Sequence, residues 1–196
     1  MGYLTHADGL PTDFPTHMHS AEFWEQLGRA VATFGFLEEV LGKAIFALTA
    51  TRRYEEDEID EAYLKWIPTL ERAASDTLGG LIGLYDESLN DNPDVRFTNA
   101  SDLIADLRKA ARLRNVLCHG SWGVPSDDGS SLPFFIDNKE MMIFDTRIDV
   151  DHLVQTRKHV VELCCSVINS VMHMGWQFPG SSGPGQEILR PSGGSH

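Results

Sequence analysis

Apolar residues recur at steps of three and four along the thirty residues that follow Ser20. At about 100° per residue these positions fall in one stripe, which predicts a long amphipathic first helix. Ser20 is the expected N-cap, and Glu22 lies in the first turn, where negative charge is favoured. Glu38 lies about 60° from the middle of the stripe, at its edge. The stripe comprises Phe23, Leu27, Ala30, Phe34, Leu37, Leu41, Ala44, Ile45 and Leu48.

Weaker versions of the helical period follow along the chain. Residues 59–74 predict a helix on which Tyr63, Ile67 and Leu70 share a face, although Pro68 should bend or divide it. Residues 76–88 predict a short helix weakened by three glycines. Residues 100–120 predict a helix that ends near Gly120. A last long helix should begin at Asp149 or Asp151, and its stripe comprises Leu153, Val160, Cys164, Val167 and Val171.

Between the last two helices the pattern changes from helical to strand-like. Two apolar runs flank Asp137, Asn138 and Lys139, which is typical of a short β-hairpin. The pattern therefore predicts a mainly α fold, a bundle of four to six helices with a small β-hairpin inserted before the last long helix. Residues 1–19 are expected to form an irregular N-terminal arm, residues 20–177 the helical domain, and residues 178–196 a flexible tail rich in glycine, proline and serine.

Composition narrows the class of protein. The chain has 196 residues, of which 42% are hydrophobic, so one domain with a sizeable core is expected. Its net charge of −13 argues against a general nucleic-acid coat, although a small basic cleft is compatible with an acidic body. Three cysteines without a CxxC pair favour a reduced, cytoplasmic protein. We expect no signal peptide and no membrane-spanning helix.

The helix predicted to end near Gly120 carries the densest set of chemically active side chains. Arg108, Lys109, Arg112 and Arg114 fall within seven positions and give a local cationic density that the chain otherwise lacks. On a regular helix, one polar face within about 60° carries Arg108, Arg112, Asn115 and His119. The opposite, apolar face is predicted to contain Arg114 together with Leu103, Ile104, Leu107, Ala110, Ala111, Leu117 and Cys118.

These residues allow a structural and a catalytic interpretation. In the structural one, a buried Arg114 needs an acceptor, for which Glu38 is the best candidate, and His119 is stabilised by the helix dipole. In the catalytic one, RNA is cleaved without a metal. A histidine can act as base or acid because imidazole titrates near neutrality. An arginine can bind the crowded phosphate, and an asparagine can orient the reacting groups.

The sequence from Arg114 to His119, RNVLCH, resembles the R-N-x-x-x-H form of the R-x4-6-H motif of HEPN domains. The helical setting over residues 20–175 is similar as well. The resemblance implies a compact helical domain that often dimerises, with the motif helices of two protomers facing one cleft. Many members are metal-independent ribonucleases, and several are toxins paired with a nucleotidyltransferase-type antitoxin or act in phage defence. Carried over, Arg114 and His119 are the catalytic pair, Asn115 supports them, and Glu38 loosely matches an acidic first-helix position.

The sequence therefore predicts a HEPN-like endoribonuclease that acts as a homodimer, in a toxin or defence system. Arg114 and His119 lie about 140° apart on a regular helix, so either the helix bends or two protomers build the cleft. Arg108 and Arg112 are expected to support RNA binding. RNA and an antitoxin-type protein are the expected partners, and no metal site or cofactor is expected. The alternative is a catalytically inactive HEPN-like interaction or dimerisation module.

Three further features of the sequence allow a second interpretation. His17 and His19 occupy alternate positions, a spacing that can bind a metal, but a surface arm explains them better. Cys118 lies beside His119, although adjacent helical residues diverge by about 100°. Trp122 and Trp176 could stack on bases, but closing the ends of the bundle is the favoured role. Cys164 and Cys165 are predicted to fill the core.

Overall fold

The computed structural model describes residues 4–95, 98–137 and 142–180. The described residues contain five α-helices, which confirms the predicted mainly helical fold. They are α1 (Ala21–Ala50), α2 (Ile59–Ser75), α3 (Leu78–Asp91), α4 (Ala100–His119) and α5 (Val150–Met172). Two short strands, β1 (Ile136–Asp137) and β2 (Met142–Ile143), lie between α4 and α5, and short 3-10 helices span Ala7–Gly9 and Glu56–Glu58.

Side-chain caps fix where three of the helices begin. The Ser20 hydroxyl accepts a hydrogen bond from the Phe23 N–H at 3.1 Å. The Asp149 carboxylate accepts from the His152 N–H at 2.7 Å, so Asp149 is the residue that opens α5. Thr77 caps α3 by accepting from the Gly80 N–H at 3.4 Å. Such caps satisfy amide groups that have no partner within the first turn.

The predicted stripes of α1 and α5 are confirmed as the faces that these helices bury. Every apolar residue of both stripes is buried, with at most 8% of its surface exposed. Glu38 is half-buried at the edge of the α1 stripe, and Glu39 is exposed and binds Lys43 at 2.7 Å. Pro68 lies inside α2, which continues through it as one helix.

The chain divides into two compact units, and each is described separately. Among the described residues, those within 1–32 and 113–158 form unit 1, and those within 33–112 and 159–196 form unit 2. The divisions fall within α1, α4 and α5, so each of these helices contributes residues to both units.

Unit 2 has a core tied by buried hydrogen bonds between helices. The hydroxyl of Tyr85 on α3 donates to Ser170 Oγ on α5 at 2.7 Å, and both side chains are fully buried. The side-chain amide of Asn92, just after α3, donates to the Leu48 carbonyl near the end of α1 at 2.7 Å. These bonds satisfy polar groups that burial would otherwise leave without partners. The surrounding apolar core includes Phe34, Leu37, Leu41, Ile45, Leu78, Ile82, Leu103, Leu107 and Val160.

Unit 1 is held by links between segments that are distant in the sequence. The Arg157 guanidinium of α5 donates to the side-chain oxygen of Gln26 on α1 at 3.1 Å. After α4 the chain forms antiparallel bridges between Ser121 and Phe134 and between Ser131 and Ile148. The two strands pair antiparallel where the hairpin is predicted. Its predicted turn residues Asn138 and Lys139 lie outside the described residues.

The end of the described chain extends the packed region past its predicted limit. Phe178, the first residue of the predicted tail, is fully buried, and its N–H donates to the Met172 sulfur at 3.4 Å. Residues 181–196 lie outside the described residues. Among the helices of the described chain, none combines the length and apolar character needed to cross a membrane.

Candidate active site

The predicted catalytic residues lie on the last two turns of α4, in unit 1. Arg114 is half-buried, whereas Asn115 and His119 are exposed. His119 is the last residue of the helix. An exposed imidazole at a helix end can reach a substrate in solvent, whereas Arg114 can lie against the protein surface with its guanidinium fixed by neighbours.

One hydrogen bond joins two members of this set. A guanidinium N–H of Arg114 donates to Oδ1 of Asn115 at 3.3 Å. A guanidinium carries five N–H donors, and this bond uses one of them. Asn115 therefore orients the arginine, whereas the sequence predicts only that it orients the reacting groups. The only sequence feature that indicates this contact is that Arg114 and Asn115 are adjacent polar residues.

The angular relation between Arg114 and His119 follows from the continuity of α4. Every residue from Ala100 to His119 is α-helical. Sharp helix kinks arise at proline, at Gly/Ser pairs or at π-bulges, and α4 contains none of these. The two side chains therefore leave the helix about 140° apart. Of the two predicted ways to bring them to one phosphate, a bend in α4 has no structural cause in this sequence.

The face that α4 buries near its end differs from the predicted one. Cys118 was predicted on the apolar face but is exposed, whereas Val116 is buried beside Leu117. The reason is the chain that follows the helix. A Cβ added at Gly120 would lie 2.9 Å from the Pro133 side chain, so this segment returns close to the end of α4. Helical periodicity alone does not show that a later segment packs against the end of a helix.

Trp122, three residues beyond His119, belongs to an aromatic cluster. Its ring centroid lies 5.1 Å from that of Phe23, 6.3 Å from His19 and 6.4 Å from Trp24. Edge-to-face rings at such distances attract each other and stabilise packing. Trp122 is half-buried in this cluster, in agreement with the favoured role of closing the end of the bundle. Trp176, by contrast, is exposed.

His19 is the unusual member of that cluster. Both of its ring nitrogens are buried without a hydrogen-bond partner, and its ring stacks on Phe23 with centroids 4.4 Å apart. Burial lowers the pKa of His19 below its ordinary value of 6.5, because the charged imidazolium loses hydration. The neutral form is therefore favoured, and His19 is a packed histidine, whereas the sequence predicts a surface position on the arm. No group of three or more His, Cys, Asp or Glu side chains in the described chain is arranged to hold a metal ion.

The predicted supporting residues lie in unit 2. Arg108 is exposed and binds Asp86 of α3, with Nη2 and Oδ2 3.0 Å apart. Arg112 is exposed on α4, and Glu38 lines a groove between α1 and α2. Lys109 binds Asp106 at 2.9 Å and lowers the pKa of that carboxyl. Exposed pairs of this kind contribute little to stability, so a phosphate can replace the carboxylate at small cost.

The two other cysteines have different environments. Cys164 is buried, and burial together with the neighbouring Cys165 raises its pKa to about 12. A thiol held in its neutral form is a packing group, as predicted. Cys165 was also predicted to fill the core, but it is exposed, since it lies one residue and about 100° away from the α5 stripe.

No protein-family model, curated protein or solved structure matches this chain.

Proposed function

We propose that this chain is a HEPN-like, metal-independent endoribonuclease that acts as a homodimer with a composite cleft. One observation carries the proposal. Arg114, oriented by Asn115, and the exposed His119 leave one uninterrupted helix in directions about 140° apart. A cleft between the motif helices of two protomers lets Arg114 of one copy and His119 of the other approach the same phosphate. The R-N-x-x-x-H motif supplies the assignment to the HEPN type.

In the proposed reaction the substrate RNA supplies its own nucleophile. His119 takes the proton from a 2′-hydroxyl, whose oxygen attacks the adjacent phosphorus and forms a cyclic phosphate. The bond to the 5′-oxygen breaks, and the imidazolium returns the proton to that leaving oxygen. Arg114 stabilises the extra charge on the phosphate as the five-bonded phosphorus forms, and Asn115 holds the guanidinium in place.

The direct test is cleavage of mixed RNA by the purified protein in EDTA. We expect wild-type cleavage and a loss of at least about a hundredfold in His119→Ala, since general acid–base catalysis contributes about that much or more. His159→Ala changes an exposed histidine of α5 and is the matched control. A metal requirement for cleavage, or equal cleavage by the wild type and His119→Ala, would contradict the mechanism.

Light scattering at micromolar concentration tests the assembly. A composite cleft requires two copies, so a dimer is expected. A monomer under these conditions contradicts the composite cleft.

A second candidate is a catalytically inactive HEPN-like interaction module. It is favoured by the ion pairs of Arg108 with Asp86 and of Lys109 with Asp106, which neutralise two of the four cations around the motif in an acidic chain. In this case neither the wild type nor His119→Ala cleaves RNA, and both form the same dimer.

A nucleotidyltransferase-type antitoxin is the proposed protein partner for the ribonuclease in a two-component system.

A further inference from the structure

Helix α2 packs less deeply than the other helices of unit 2. None of its residues is fully buried, whereas α3 alone buries seven. Four of its large apolar side chains are 39–70% exposed, namely Ile59, Tyr63, Leu64 and Ile67. Single exposed apolar residues are ordinary on a protein surface, but a continuous set of them marks an interaction site.

Tyr63 and Ile67 lie within about 60° of Leu70 around α2, and Leu70 lines an apolar groove between α1 and α2. The groove has a volume of about 610 Å³, and its apolar lining includes Phe46 of α1 and Leu70 of α2. Ring contacts continue this surface toward the start of α2. The Phe46 and Trp66 centroids are 5.9 Å apart, and those of Trp66 and Tyr63 are 6.4 Å apart. We call this surface, from Tyr63 to Ala74 along α2, the α1–α2 groove.

The floor of the groove is formed by a close approach of the two helices. A Cβ added at Gly42 of α1 would lie 3.0 Å from the Ala73 carbonyl oxygen. The stretch from Tyr63 to Ala74 rises about 16 Å, or three helical turns. An apolar surface of this length, of which α2 lines the groove itself only from Leu70 onward, suits an amphipathic helix whose apolar residues recur at i, i+3, i+4 and i+7.

The charges around the groove select the kind of helix that can bind. Its lining includes the carboxylates of Glu38, Glu39 and Asp76, and its one lysine, Lys43, lies 2.7 Å from Glu39. Asp76 is paired with Arg72 at 3.5 Å, and the lining as a whole contains three carboxylates and one lysine, so it is acidic. A second copy of this chain would bring its own charge of −13 to an acidic surface. A cationic partner instead gains from charge complementarity.

We propose that the α1–α2 groove binds the apolar face of a cationic amphipathic helix of a partner protein. Apolar residues of that helix pack against Phe46, Ile67 and Leu70, and its lysines or arginines face the carboxylates of the rim. This site shares no residue with the proposed catalytic set of Arg114, Asn115 and His119, so its test does not depend on RNA cleavage.

The test measures binding of labelled helical peptides to the full chain by fluorescence anisotropy. The first peptide has leucine at i, i+3, i+4 and i+7 and lysine at the other positions. The second replaces every lysine by glutamate, and the third scrambles the first so that leucines surround the helix. We expect the first to bind and the other two to bind at least about tenfold more weakly.

Two uncharged variants separate the groove from general attraction to an acidic protein. Ile67→Ser removes an apolar contact of α2, and about tenfold weaker binding of the lysine peptide is expected. Val161→Ser removes a comparably exposed apolar side chain of α5 and should leave binding unchanged. Circular dichroism checks that both variants remain folded.

Three results would overturn the proposal. One is equal binding of the lysine and glutamate peptides, and another is equal binding of the lysine peptide to Ile67→Ser and Val161→Ser. The third is self-association that Ile67→Ser abolishes while the lysine peptide fails to bind, because the occupant is then a second copy of the chain.

Discussion

The buried bond between Tyr85 and Ser170 makes a quantitative prediction about unit 2. The Tyr85 hydroxyl donates to Ser170 Oγ at 2.7 Å, and Ser170 in turn donates to the Val167 carbonyl at 2.7 Å. Both side chains are fully buried, and burial raises the pKa of Tyr85 to about 12. Tyr85→Phe should therefore lower the free energy of unfolding by about 1 kcal/mol, the net value of one hydrogen bond.

Ser170→Ala should cost more than Tyr85→Phe. It leaves the Tyr85 hydroxyl buried without its acceptor, so a loss of about 2 kcal/mol is expected. In the double variant no hydroxyl is stranded, and its loss should be smaller than the sum of the single losses by about 1 kcal/mol. In a chain of this size each 1 kcal/mol lowers Tm by about 2–4 °C.

Urea denaturation followed by far-ultraviolet circular dichroism measures the four free energies of this cycle. Ser166→Ala is the matched control. Its hydroxyl donates to the Glu162 carbonyl four residues earlier on the same helix, at 3.0 Å and near solvent. We expect this variant to change stability by less than about 0.5 kcal/mol. Additive losses from Tyr85→Phe and Ser170→Ala, or a Ser170→Ala loss no larger than that of Ser166→Ala, would refute the reasoning.

Two further predictions concern unit 1. Gly120→Ala should destabilise the chain by about 1–3 kcal/mol, because the new Cβ would meet the Val116 carbonyl oxygen and the Pro133 side chain. Thermal unfolding measures this loss. The control is Gly123→Ala, because Gly123 is exposed and its surroundings are open. Burial lowers the pKa of His19, so the unfolded chain binds more protons and stability should fall as pH drops through 6.5. His19→Phe should reduce the difference in unfolding free energy between pH about 7.5 and about 5.5, whereas exposed His17→Phe should not; equal pH dependence in the wild type and His19→Phe would contradict this.

The sequence was sufficient to predict the helices and the faces that the longest ones bury. The stripes of α1 and α5 are buried because a period of three and four, maintained over many turns, has one low-energy arrangement against a core. Ser20 and Asp149 fixed helix starts for an equally local reason, since a cap contacts amides only three residues away.

Features that depend on distant segments could not be predicted from periodicity. Val116 is buried and Cys118 exposed because the chain after α4 returns toward Gly120. The apolar side chains of α2 share a predicted face, but that face is largely exposed, since periodicity does not reveal whether a partner surface is present. The bond from Arg114 to Asn115 depends on side-chain rotamers, which a sequence pattern does not specify.

Subunit mixing tests the composite cleft most directly. Arg114→Ala and His119→Ala proteins are each expected to be inactive on RNA in EDTA. After equal mixing and subunit exchange, half of the dimers are mixed. Each mixed dimer has one of its two Arg114–His119 pairs intact in the composite cleft, so activity should recover to about a quarter of the wild type. Mixing His119→Ala with the Arg114→Ala/His119→Ala double variant is the control and should recover none. Recovery to about a quarter is the predicted result. If the wild type cleaves RNA but the mixed dimers of the two variants recover no activity, the composite cleft is contradicted.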